Sequence, residues 1–122
     1  MKLFFALSLL VAIGSLTSCY YDNEEDLYPQ NRLCATDSMS YANDILPVLN
    51  AQCLSCHSAA AQQGGVDMEG YTSVKKYVDN QKFVRSVKHD AGTSPMPKNS
   101  DKLDACTIAK IEAWINQGAL NN

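Results

Sequence analysis

Basic residues, histidines and long apolar runs are all scarce in this chain of 122 residues. Ten basic side chains against thirteen acidic ones argue against nucleic acid as a partner. The longest apolar run, from Leu3 to Leu16, is too short to span a bilayer comfortably as a helix. Only two histidines are available to bind a metal, and the serines and acidic residues form no catalytic constellation. No catalytic residue and no small-molecule substrate are therefore predicted.

The N-terminal segment combines one lysine with that apolar run, which is typical of an export signal. It closes with LTSC, residues 16–19, which resembles the lipobox of bacterial lipoproteins, where the cysteine is acylated and becomes the mature N-terminus. We therefore expect residues 1–18 to be a lipoprotein signal peptide and Cys19 to carry the lipid. An ordinary secretory signal followed by a chance cysteine is the alternative. Residues 19–33, which are rich in acidic side chains, are predicted to form an extended tether.

Lipidation of Cys19 would place the protein at a membrane, because two or three acyl chains anchor a chain firmly. Acidic residues just after such a cysteine resemble the surface-export signals of some Gram-negative lipoproteins. We expect a bacterial membrane lipoprotein on the periplasmic or cell-surface side, with the outer membrane favoured. Residues 34–122 are predicted to form one small domain, whose thin core a buried cofactor would complete.

Four cysteines remain once Cys19 is assigned to the lipid. If Cys53 and Cys56 belong to the central motif CLSCH, then Cys34 and Cys106 are the only possible pair in an oxidising compartment. The sequence therefore predicts a disulfide between Cys34 and Cys106. It would close a loop of about 70 residues and stabilise the fold by up to about 4 to 5 kcal/mol in the chain-entropy model.

The motif CLSCH, residues 53–57, is compatible with three kinds of chemistry. A thioredoxin-like dithiol needs a βαβ context, which the flanking sequence lacks. A structural zinc site needs four ligands, and the chain has no second short pair of ligands. Covalent haem suits every residue, since each thiol can add to one vinyl group and the next imidazole can bind the iron. We predict one covalent haem c held by Cys53, Cys56 and His57, with zinc and a redox dithiol as alternatives.

Several features follow one another between Asn43 and Ala119. They are an apolar helix (DILPVL), CLSCH, a Gly-Gly turn followed by VDMEGY, a mid-chain helix, SPMPK and a terminal helix ending in WINQGA. In this order they resemble the monohaem c-type cytochrome domains of bacterial lipoproteins. The resemblance implies an all-α, cytochrome c-like fold of about four short helices and long loops around one haem. It also places the distal iron ligand at the Met-Pro loop.

Three residues are candidates for the sixth iron ligand. Met96 lies between Pro95 and Pro97, which restrict the backbone around it. His89, at the end of the helical stretch NQKFVRSVKH, is the alternative, and Met68 or an open position are the remaining possibilities. We predict Met96, whose thioether would raise the reduction potential relative to an imidazole.

Apolar spacing and capping residues predict where the helices lie. The first helix is expected from Tyr41 or Asn43 to Gln52. Two short helices are expected over TSVKKYV and NQKFVRSVK, with a break near the sequence DN between them. The last helix is expected to begin at an Asp104 cap and to end just before Gly118.

Together these features predict a membrane-anchored monohaem c-type cytochrome that acts in electron transfer and is not an enzyme. The alternative is a haem enzyme or a gas or redox sensor with an open or displaceable sixth position. A lipoprotein in which haem is mainly structural is a third account. The expected partners are redox proteins, and acidic ones would suit the cluster of seven basic residues against three acidic ones between Tyr71 and Lys102. This basic segment contains Lys75, Lys76, Lys82, Arg85, Lys88, Lys98 and Lys102.

Overall fold

The computed structural model describes residues 34–122. The predicted signal peptide, the lipidation site Cys19 and the tether over residues 19–33 lie outside the described residues. Within the described part the chain is helical and has no β-strand, which confirms the all-α class. No helix of this part combines the length and the apolar character that crossing a bilayer requires.

Five α-helices follow one another in the described residues. Four of them are the predicted ones, and the additional helix is a single turn formed by the CLSCH motif itself. In chain order they are α1 (Leu46–Gln52), α2 (Leu54–His57), α3 (Tyr71–Asp79), α4 (Lys82–Val87) and α5 (Ala105–Asn116).

A π-helical turn, Tyr41–Ile45, leads directly into α1. Pro47 would disrupt a continuous α-helix starting at Tyr41, because it lacks an N–H and its ring crowds the carbonyl four residues earlier. In the π turn the Leu46 N–H bonds to the Tyr41 carbonyl, one residue farther back than in an α-helix. Pro47 consequently falls in the first turn of α1, where no backbone donor is required.

The core is built where α1, α3, α4 and α5 meet. Trp114 of α5 is fully buried, and its ring lies 5.8 Å from that of Tyr41, centroid to centroid. The Trp114 indole N–H donates to the Leu120 carbonyl at 2.9 Å, so the one polar group of this side chain is satisfied inside the fold. The other fully buried large side chains are Ile45, Leu49, Val74 and Ile111.

The end of α5 turns back on the helix in a Schellman motif. Gly118 has φ +99°, and the N–H groups of Gly118 and Ala119 bond to the carbonyls of Ile115 and Trp114. This reversal brings the Ala119 carbonyl to the Tyr71 hydroxyl, which donates to it at 2.8 Å. The C-terminal turn thus joins α5 to the start of α3.

The chain before α1 is attached to α5 at both of the helix's ends. At the first end, Cys34 and Cys106 form a disulfide with a Cα–Cα distance of 5.4 Å. At the other end, the Gln117 side chain accepts from the Met39 N–H and donates to the Thr36 carbonyl, each at 2.8 Å. The cysteine pair expected from the sequence therefore holds the start of the domain to its last helix.

Asp104 caps α5, and we expect its replacement by alanine to lower the free energy of unfolding by about 1 kcal/mol at pH 7. Hydrogen bonds from the Thr107 hydroxyl and N–H hold the pKa of Asp104 below its usual 3.8. The carboxylate therefore contributes fully to the free energy of unfolding when the pH is above the usual pKa. The contribution is lost as the pH falls through the lower pKa of the folded state. Urea unfolding of wild type and Asp104→Ala at several pH values measures both effects.

Asp104→Asn is the matched control, because an asparagine side chain caps as well as aspartate but does not titrate. It should retain most of the stability at pH 7. Equal losses in the Asn and Ala variants would contradict the capping role.

Candidate functional site

The CLSCH motif forms one helical turn at the end of α1. Cys53 ends α1 and precedes α2, and its backbone (φ −121°, ψ −46°) departs from helical geometry there. Its carbonyl accepts from the N–H groups of Cys56 at 3.1 Å and His57 at 2.9 Å. Residues three and four positions apart on a helical turn lie on the same side. Cys53, Cys56 and His57 thus belong to one turn, but within the described residues their side chains do not converge as three ligands of a single metal ion would.

His57 is half-buried, and its ring nitrogen Nδ1 is buried without a hydrogen-bond partner among the described residues. Buried polar atoms in proteins are almost always paired, so an unpaired one calls for an explanation. The backbone of His57 is, by contrast, well fixed, because its carbonyl accepts from the Met68 N–H at 2.7 Å. The backbone of His57 is thus fixed, while Nδ1 of its ring has no partner among the described residues.

The two thiols of the motif are free and half-buried. Burial raises the pKa of the Cys53 thiol to about 11, so this sulfur stays protonated at neutral pH. A redox dithiol needs the opposite shift, because its attacking cysteine works as a thiolate. The absence of strands from the described residues also removes the βαβ context of a thioredoxin-like site. The dithiol interpretation therefore has no support here.

A structural zinc site has no support either. Within residues 34–122, no three His, Cys, Asp or Glu side chains come together in a way that could hold a metal ion. Cys34 and Cys106, the only other described cysteines, are bonded to each other and cannot serve as ligands. A four-ligand zinc site around Cys53 and Cys56 would therefore lack its second pair.

Met96 and His89 form a second group, between α4 and α5. The Met96 N–H donates to the Ser86 carbonyl at 3.1 Å, and the Met96 carbonyl lies 3.0 Å from His89 Nε2. The side chains of Met96 and His89 are half-buried. No hydrogen bond of the described residues joins this group to the CLSCH turn. Nothing in the sequence indicated the contact, because its acceptors are backbone carbonyls.

Met68, the remaining candidate ligand, lies in the core. Its side chain is only 6% exposed and packs with the buried apolar cluster. Its N–H holds the carbonyl of His57, as described above. Met68 therefore supports the position of His57 through the backbone and contributes packing with its side chain.

An apolar cleft of about 250 Å³ lies between α1 and the beginning of α5. Gln52, the residue just before Cys53, is part of its wall. The other residues that line it are Pro47, Val48, Ala51, Leu103, Asp104 and Thr107. One wall residue of the cleft thus directly precedes the CLSCH turn in the sequence. A ligand bound in the cleft would contact a mainly apolar surface.

Comparison of the chain with protein-family models, with curated proteins and with solved structures found no match. Inference about the function therefore depends on the residues of the chain itself.

Because Met68 is buried, we expect Met68→Ala to lower the free energy of unfolding by about 2 to 5 kcal/mol. Met68→Leu nearly conserves the volume and should cost less than about 1.5 kcal/mol. Urea unfolding followed by far-UV circular dichroism measures both values. Wild-type stability in Met68→Ala would show that the side chain does not belong to the core.

Proposed function

We propose that this protein is a monohaem c-type cytochrome that carries electrons while anchored to a membrane through Cys19. One observation carries the proposal. One helical turn contains two free, half-buried thiols and, directly after the second, an imidazole whose buried Nδ1 has no hydrogen-bond partner among the described residues. Of the three chemistries that suit CLSCH, covalent haem is the one that uses all of these groups and requires no further ligand pair.

The residues of the turn fit a covalently held porphyrin. Cys53 and Cys56 would form the two thioether bonds, and His57 would bind the iron. The proton on Cys53 at neutral pH is no obstacle once the sulfur is a thioether, which does not titrate. Bound haem would supply the reversible one-electron couple of its iron.

The unpaired His57 nitrogen sets a condition for this assignment. An imidazole that binds a metal through one nitrogen usually donates its other N–H to a carbonyl, carboxylate or water. Nδ1 of His57 is buried and has no partner among the described residues, so the ring has an unmet need for one. With iron bound at the other ring nitrogen, Nδ1 would donate its N–H to a carbonyl or a water that the haem-loaded protein must supply.

Met96 is the best candidate for the sixth ligand. Its N–H and its carbonyl are both hydrogen-bonded, and its half-buried side chain does not belong to the buried apolar cluster. Met68 packs in the core, and His89 Nε2 is hydrogen-bonded to the Met96 carbonyl. A six-coordinate iron has no position free for a substrate, which favours an electron carrier over a haem enzyme.

Redox proteins with acidic surfaces are the partners we propose. The basic segment defined above carries seven positive and three negative side chains, a net charge of plus four. Two of its lysines are ion-paired, Lys75 with Asp79 and Lys88 with Glu112. Lys76 and Lys82 are exposed and form no ion pair among the described residues, so they remain free to attract an anionic partner.

Expression in cells that attach haem should yield a protein whose mass exceeds that of the lipidated chain by one haem. The ferric spectrum should show the weak near-infrared band of sulfur-to-iron ligation. Met96→Leu should abolish this band and Met68→Leu should keep it. Cys53→Ser and Cys56→Ser should each leave at most one thioether bond, detected as a changed spectrum of the reduced haem.

Mass spectrometry that finds only the bare chain, despite working maturation machinery, would refute the proposal. Rapid binding of carbon monoxide to the reduced wild-type protein would instead favour an open sixth position and a sensor or enzyme.

Oxidation of the reduced protein by the anion hexacyanoferrate(III) should become slower as the ionic strength rises. The Debye length shortens to about 8 Å at 0.15 M salt, which screens the lysines from the probe. Lys76→Gln and Lys82→Gln should slow the reaction at low salt. Lys110→Gln, in α5 and outside the basic segment, is the matched control. Rates that do not depend on ionic strength, followed by stopped-flow absorbance, would rule out a role for the basic segment.

A further inference from the structure

We propose that His89 is a positioning residue that holds Met96 in place through the Met96 carbonyl. The inference rests on the proposed function, because only a methionine that binds iron needs its loop held at a fixed position. It assigns His89 a role other than that of the alternative iron ligand.

The direction of the hydrogen bond follows from its partners. His89 Nε2 lies 3.0 Å from the Met96 carbonyl oxygen, and a carbonyl can only accept. Nε2 must therefore carry the proton and donate it. While this bond persists, Nε2 has no lone pair to offer to a metal.

The backbone around His89 brings the ring to Met96. His89 has φ +58°, in the left-handed region that residues other than glycine seldom adopt. Its N–H donates to the Ser86 carbonyl at 3.1 Å, the same oxygen that accepts from the Met96 N–H. One carbonyl at the end of α4 thus fixes both residues, and the ring of His89 completes the attachment at the carbonyl of Met96.

The residues between His89 and Met96 are held by bonds of their own. The Thr93 hydroxyl donates to the Asp90 carbonyl at 2.6 Å, and Arg85 Nη2 donates to the Ala91 carbonyl at 3.1 Å. Neither bond reaches Met96. Among the described residues, His89 provides the only side chain that is hydrogen-bonded to the Met96 backbone.

The consequence concerns how easily the Met96 loop opens. An external ligand can reach the sixth position only in the open form, so its apparent affinity is reduced by the fraction of molecules that are open. Loss of one neutral hydrogen bond would raise that fraction about fivefold.

The test uses a matched pair of variants in the haem-loaded protein. His89→Gln keeps an N–H donor at a similar reach, whereas His89→Leu removes it, and both side chains experience the same positive φ. Titration of the ferric protein with imidazole should show binding about fivefold tighter in His89→Leu than in wild type. His89→Gln should remain close to wild type. Should His89→Leu fail to fold, His89→Gly removes the ring at a residue type that suits φ +58°.

Amide hydrogen exchange at Met96 provides a readout that does not depend on haem. Exchange of this amide in the purified protein should become about fivefold faster in His89→Leu and stay unchanged in His89→Gln. Equal behaviour of the two variants would overturn the positioning role. Loss of the native iron ligation in both variants, with no sulfur-to-iron band in wild type, would identify His89 as the ligand and overturn it as well. A protein without haem would overturn the proposed function, while the exchange measurement would still test the His89 bond.

Discussion

The attachment of the segment before α1 to both ends of α5 is the constraint on which the rest of the structure depends. The Cys34–Cys106 disulfide fixes one end, and the Gln117 side chain fixes the other through the backbone of residues 36–39. Between these two points Trp114 packs against Tyr41. Because α1 is thereby fixed against α5, its end is fixed as well, and the next residue, Cys53, begins the CLSCH turn. In a small domain with a thin core, the position of α1 against α5 depends on a covalent link and a few hydrogen bonds more than on buried apolar area.

Cys53 joins the end of α1 to the candidate site. Its N–H donates to the Leu49 carbonyl in the last hydrogen bond of α1. Its own carbonyl accepts from the N–H groups of Cys56 and His57 in the next turn. Two buried side-chain atoms of the described residues have no hydrogen-bond partner, the Tyr41 hydroxyl oxygen and His57 Nδ1, and each calls for an explanation. His57 Nδ1 differs from the core Tyr41 hydroxyl because it lies directly after the two free thiols, and this neighbourhood makes it part of the candidate site.

The features that could be predicted from the sequence are those with local causes. Apolar spacing predicted α1, α3, α4 and α5, capping chemistry predicted Asp104 at the start of α5, and counting the cysteines predicted the Cys34–Cys106 pair. The π turn was not predicted, since it depends on how the chain accommodates Pro47, and α2 was missed because its four residues are too few to show a period. The contact between His89 and Met96 could not be predicted at all, because a backbone carbonyl is the same at every position. The haem, the lipid at Cys19 and the sixth ligand stay predictions.

The two candidate iron ligands are held by supports of different stiffness, and this difference bears on how the site would behave. His57 belongs to a helical turn that continues a core helix, so moving it would require unwinding α2. Met96 belongs to a loop, and its own backbone is held by two hydrogen bonds, one to the Ser86 carbonyl of α4 and one from His89. Any exchange of ligands would therefore take place on the Met96 side while His57 stays in place. An electron carrier and a sensor with a displaceable ligand could then share the same residues and differ only in the free energy needed to open this loop. The His89 bond raises this free energy and so favours a carrier.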